Sequence, residues 1–153
     1  MKTIITIQHP QSVHHTNGMV GSWTDWDLSE LGKLQAESIG TKLSEELQGR
    51  SFVMYSSELK EHIECQEKTI DDRVFSDAES RRDEWNRLLP FFLEITSNEE
   101  ENIIIVSHGD LLSVFNTMWL GLPAESLHDF ELFGFAGGVS HLLQNNDGKR
   151  FIK

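Results

Sequence analysis

Two histidines stand where an α/β chain would place its chemistry. His9 follows the run Ile4-Ile5-Thr6-Ile7-Gln8, and His108 follows Ile103-Ile104-Ile105-Val106-Ser107. Imidazole changes charge between about pH 5 and 8 and, when neutral, carries a lone pair able to attack an electrophilic centre. A lone strand-end histidine is more often a satisfied core or surface residue. Two of them carry more weight, because open parallel sheets bind ligands outside the carboxyl ends of their strands. Both rings are therefore predicted to face one pocket on one edge of one sheet. Gly109 follows His108 at the start of a helix, and the unpaired N–H groups of a helix N-terminus receive anions.

The elements that must carry these residues are legible. Thr3–Ile7 is short and β-branched, as a buried strand should be. His9 to Asp27 is polar and reads as a long loop. Ser29 is predicted as the N-cap of a helix in which Leu31, Leu34, Ile39 and Leu43 recur at helical spacing through Leu47, closed by Gly49. Phe52–Tyr55 reads as a second strand. Leu59–Asp77 is polar and weakly periodic, and is expected to bury little. Glu79–Ile95 is a second helix, with Trp85, Leu88, Leu89 and Phe92 on one stripe and Pro90 as a potential kink. Asn102–Val106 suits a strand buried on both faces. A third helix runs from Leu111 to Leu120. The tail from Phe130 to Ile152, turning at Asn145-Asn146-Asp147-Gly148, reads as a hairpin of edge strands. This alternation predicts one α/β domain over residues 1–153, a three-layer sandwich with a mostly parallel sheet and helices on both faces.

The net charge of −12 argues against a partner such as nucleic acid or an anionic membrane, since phosphate backbones are captured by an excess of Lys and Arg. It leaves room for a small phosphorylated molecule in a locally positive pocket. No apolar run approaches the length of a membrane span, the N-terminal stretch is not a signal peptide, and the single cysteine, Cys65, fits a reducing compartment; a cytoplasmic location is expected. His14-His15 near His9 raises the thought of a metal site. Adjacent loop residues rarely point together, however, and the cysteine or carboxylate spacing of common sites is absent, so no metal is expected. Trp23 and Trp26 are read as loop-packing anchors, Trp85 and Trp119 as core residues, and Arg81 and Arg82 as a solvated helix face.

These motifs resemble the histidine phosphatase (phosphoglycerate mutase-like) superfamily. That family carries R-H-G-E-S/T-x-x-N-x-x-G and then G-W-x-D-x-P-L-T-x-x-G-x-x-Q-A. This chain reads Q-H-P-Q-S-V-H-H-T-N-G from Gln8 and S-W-T-D-W-D-L-S-E-L-G-K-L-Q-A from Ser22, ungapped. Identities fall at His9, Ser12, Gly18, Trp23, Asp25, Leu28, Gly32, Gln35 and Ala36. Ser56-Ser57-Glu58-Leu59, Ala78-Glu79-Ser80 and Ser107-His108-Gly109 resemble the later landmarks, in the family's order.

The resemblance implies phosphomonoester hydrolysis or phosphoryl transfer without a metal or other cofactor. His9 would be the nucleophile that becomes a phosphohistidine, and His108 would donate to the phosphoryl oxygens. Gln8, Ser12, His15 and Gly109 would bind substrate. Three departures from the pattern matter most. Gln8 replaces an arginine, Pro10 replaces a glycine, and His15 stands where the family has asparagine. The middle is also short: after Leu59 an aligned arginine would fall on Glu61, and no general acid is assigned. Glu58, Asp71, Asp72 and Glu79 are available but read as surface charges. Two functions therefore compete: an active but weakened phosphatase or mutase, and a catalytically impaired relative that binds a phosphorylated ligand or partner without turnover.

Overall fold

The computed structural model describes residues 2–17, 26–56, 69–73, 76 and 78–153. Five strands form one sheet: β1 (Lys2–Gln8), β2 (Val53–Ser56), β3 (Asn102–Ser107), β4 (Val139–Gln144) and β5 (Arg150–Ile152). The order is β2-β3-β1-β4-β5. β1 and β2 both run parallel to β3, whereas β4 pairs antiparallel with β1 and β5 with β4. The sheet is thus parallel at its centre, where the candidate histidines sit. The predicted hairpin forms, but of its two strands only β5 lies at an edge, because β4 pairs with β1 on its other side.

Helices cover both faces, and the side-chain alternation shows why. Ile4, Ile103 and Ile105 meet Leu88, Phe92 and Ile95 of α3 (Arg81–Ser97) and the buried face of α4 (Gly109–Trp119), including Phe115 and Trp119. Ile5, Ile7 and Ile104 point the other way and meet Ile39, Leu43 and Leu47 of α2 (Glu30–Glu46) and its cap. Ile103, Ile104 and Ile105 of β3 and Ile4 and Ile5 of β1 are therefore consecutive apolar residues, as burial on two faces requires. Ser29 caps α2 by accepting from Gly32 N–H at 3.0 Å. Ser80 and Asp83 form a capping box at the start of α3. That helix continues through Pro90, whose lost hydrogen bond falls on the exposed side.

Several expectations are corrected. Leu31 and Leu34 are exposed, because α2 meets the sheet only through its C-terminal half; Leu89 also stands outside the buried stripe of α3. The loop after β1 contains one helical turn, α1 (His14–Asn17). The segment expected to bury little contributes Ile70 to the main core, anchored where Arg82 N–H donates to Ile70 O at 2.9 Å. Glu58, Ser57-Glu58-Leu59, Gly18, Trp23, Asp25, Glu61, Cys65 and most of Leu59–Asp77 lie outside the described residues. No described helix is long and apolar enough to cross a membrane.

Because β2 and β3 are parallel, α3 returns against their direction and begins at their carboxyl edge. α4 begins there too, directly after β3. The N-termini of both helices, the positive ends of their dipoles, therefore share the edge where β1 runs into His9 and β3 into His108.

Candidate active site

β1 and β3 pair in register from Thr3↔Asn102 to Gln8↔Ser107, so the residues that follow them come together. The His9 and His108 rings lie 5.0 Å apart between centroids at 63°. The predicted juxtaposition is met, at a separation one phosphoryl group can span. His108 is the N-cap residue of α4, and Gly109 its first residue.

His9 Nδ1 lies 2.9 Å from Pro10 O. A carbonyl oxygen only accepts, so Nδ1 carries the proton and donates, and the lone pair of the neutral ring sits on Nε2. Pro10, which lacks a backbone N–H, thus still fixes the tautomer through its carbonyl.

Two further imidazoles approach. The His15 ring is 5.5 Å and the His14 ring 6.5 Å from that of His9, with 4.0 Å between them. Their convergence overturns the expectation that adjacent loop histidines diverge. Ser12 is responsible: its Oγ lies 2.6 Å from His14 Nδ1 and 3.0 Å from His15 Nδ1, while its backbone N–H donates to His15 Nδ1 at 3.1 Å. His15 Nδ1 also lies 3.3 Å from Ser12 O, so this nitrogen faces both a backbone donor and a backbone acceptor, and the two contacts call for opposite tautomers. The Ser12 hydroxyl is buried and lies against two imidazoles. His14 was missed because only the short turn α1 brings it round. Among the described residues no group of three or more His, Cys, Asp or Glu side chains is arranged to hold a metal ion.

The loop carrying these residues is fixed from α2. Ser29 N–H donates to Gln11 O at 3.0 Å, Ser29 Oγ to Gln11 Oε1 at 2.7 Å, and Gln11 N–H to Gln35 Oε1 at 2.9 Å. Gly32 lies against Gln11: a Cβ there would stand 1.9 Å from Gln11 O.

Gln8 behaves differently from its neighbours. By alternation it points to the α4 face, where its carboxamide would lie 3.2–3.4 Å from a Cβ on Gly109. Its buried Oε1, like the buried Oγ of its register partner Ser107, has no hydrogen-bond partner among the described residues.

Every arginine of the chain has an identified partner. Arg73 pairs with Asp83, Arg82 with Asp71 and Glu125, and Arg87 with Glu79. Arg50 donates to Glu46 O, and Arg150 stacks over Trp119. Arg81, expected on a solvated face, is 11% exposed and lies 2.9 Å from both Asp110 and Glu131, tying the starts of α3 and α4 to the segment before β4. Glu79 and Asp71 are thereby occupied as surface ion pairs, and Asp72 accepts from Thr69 N–H.

The family model of the histidine phosphatase superfamily (branch 1) matches residues 4–67 and 47–153. No curated protein matches the chain in sequence. Among solved structures, the mycobacterial glucosyl-3-phosphoglycerate phosphatase complexed with VO3 is similar, with a TM-score of 0.76 and 15% identity over 99% of this chain and 97% of that one. A histidine-to-alanine mutant of the phosphoserine phosphatase from Entamoeba histolytica, in complex with phosphoserine, gives 0.70 and 15% over 99% and 95%. At such identities the likeness is one of fold.

Proposed function

The chain belongs to the histidine phosphatase superfamily, and on that premise we propose that it transfers phosphoryl groups from small phosphomonoesters through a phosphohistidine at His9. The observation that carries this reading is the hydrogen bond from His9 Nδ1 to Pro10 O, which leaves the Nε2 lone pair on a ring packed against His108. In the first step the Nε2–phosphorus bond forms as the bond from phosphorus to the ester oxygen breaks, and that oxygen leaves with the electron pair as an alkoxide or phenolate that takes its proton from solvent. In the second a water oxygen attacks phosphorus, the nitrogen–phosphorus bond breaks, and inorganic phosphate departs. A second substrate hydroxyl in place of water makes the reaction a mutase.

His108 and His15 donate to the phosphoryl oxygens, and the N–H groups opening α4 at Gly109 add dipoles that need no reorganisation. Donors already aimed where charge develops contribute more than mobile ones. No described carboxylate is assigned as general acid. Aryl esters are therefore the substrates of choice for assay, because a phenolate leaves without a strong acid's help. The two fold relatives bear on the ligand class, since one holds VO3 and the other phosphoserine.

A second reading, a ligand-binding member without turnover, is favoured by one observation: Gln8 offers a neutral amide where a guanidinium is expected, and the arginines are engaged by other groups. Gln8→Arg separates the two. A charge-assisted, bidentate contact contributes roughly 1.5–3 kcal/mol, so the variant is expected to bind vanadate about ten- to a hundredfold tighter. If the chain is a weakened enzyme, turnover of an aryl phosphate rises as well; if it is a binding protein, affinity rises alone. Vanadate inhibition and initial rates, measured on both proteins, decide it.

A further inference from the structure

The segment from Leu132 to Gly138 crosses the carboxyl edge of the sheet and is fixed at each end. On the α4 face, Leu132 N–H donates to Ser113 Oγ and Asn116 Nδ2 donates to Leu132 O, both at 2.7 Å. At the other end Gly137, in a left-handed conformation at φ +78°, donates its N–H to His9 O at 3.0 Å and Gln8 O at 3.1 Å. From the opposite face of the sheet, Gln35 Nε2 of α2 donates to Ala136 O at 3.2 Å. Gly138 N–H closes a tight turn on Phe135 O at 2.6 Å. The backbone of His9 is thus bolted to the turn that presents Phe135.

Phe135 is 90% exposed, the highest value among the large apolar side chains that stand in solvent. Leu31 and Leu34, on the turns of α2 beside Gln35, are 51% and 63% exposed. A phenyl ring held in water on a hydrogen-bonded turn loses apolar burial with no packing return. The turn chemistry needs the glycines that follow, not the ring.

Resting on the phosphohistidine reading above, we propose that Phe135, with Leu34, is the specificity determinant of the site: it seats the leaving group of the substrate, an uncharged aromatic or similarly flat apolar alcohol. Charge points the same way. Glu84, Asp110 and Glu131 gather around Arg81 at the same edge, a surplus of carboxylate that disfavours a second anionic group on the ester.

The test uses two non-hydrolysable ligands with the same head group, 1-naphthylmethylphosphonate and methylphosphonate, titrated calorimetrically into the full chain. The unmodified protein is expected to prefer the naphthyl ligand by about tenfold or more, the scale of partial burial of one aromatic ring. Phe135→Ser should reduce that preference to threefold or less and leave methylphosphonate binding unchanged, whereas Phe135→Trp should retain it. The exposed position makes both variants safe for folding. Equal affinity for the two ligands, or a preference that survives Phe135→Ser, overturns the proposal and spares the phosphate reading. A concentration-dependent dimer that Phe135→Ser dissolves, with the ligand preference intact, overturns it in favour of self-association. Failure of the unmodified protein to bind methylphosphonate and inorganic phosphate removes the phosphate reading, and this proposal with it.

Discussion

Replacing His9 with alanine is expected to abolish turnover of aryl phosphates, by about a thousandfold or to the background rate, because the variant has no atom to form the bond to phosphorus. The change leaves the fold alone: the His9 side chain bonds Pro10 O, but the β1 ladder and the contacts of His9 N–H with Ser107 O and of Gly137 N–H with His9 O are backbone interactions. Thermal unfolding of His9→Ala should therefore match that of the parent within a few degrees, since surface and pocket substitutions of this kind shift stability by little. Steady-state rates with 4-nitrophenyl phosphate, read beside the unfolding curves, make the comparison. A variant that folds and retains the parent rate would move the chemistry away from His9.

A second large effect belongs to Gly32. A methyl group there would stand 1.9 Å from Gln11 O and 2.9 Å from the carbon behind it, both backbone atoms with no rotamer to yield. The loop from His9 to Asn17 must then lift off α2, breaking the hydrogen bonds between Gln11 and Ser29. Gly32→Ala is expected to destabilise the protein by roughly 2–4 kcal/mol despite the better helix propensity of alanine, and to cost activity as His14 and His15 lose their footing. Gly40 is the control in the same helix. Nothing lies within 4 Å of a Cβ there, so Gly40→Ala should stabilise by about 0.5–1 kcal/mol. Urea unfolding of the pair measures both signs. Equal effects would mean that the close approach of α2 to the loop is not maintained in solution.

The placement of the histidines was readable because strands buried on both faces announce themselves as unbroken β-branched runs, and strand ends define the edge. The caps were readable for a similar reason: Ser29 and Ser80 act within three residues of themselves. What escaped depends on groups far apart in the chain or on one local turn. Arg81 is buried by carboxylates from α3, α4 and the segment before β4, a meeting no local pattern encodes. Leu31 and Leu34 obey helical periodicity but lie beyond the part of α2 that reaches the sheet. Ile70 is the one apolar residue of the described stretch 69–73, and only the tertiary packing of α3 shows that it fills the core. His14 joins the site because Ser12, two residues earlier, holds its ring beside that of His15. Conversely, Pro10 looked like a loss at the site, yet its carbonyl provides the contact that sets the tautomer of His9.

The central claim is a covalent bond between His9 and phosphorus, and trapping it is the most direct test. The protein is mixed with excess 4-nitrophenyl phosphate and quenched in alkali, where phosphohistidine survives and phosphoserine esters do not. Proteolysis and mass spectrometry then read the peptide that contains His9, Pro10 and Gln11. One added phosphoryl mass on His9, absent from His9→Ala, is the result expected. A protein that releases 4-nitrophenol while the His9 peptide stays unmodified, or that carries the phosphoryl group on another residue, contradicts it.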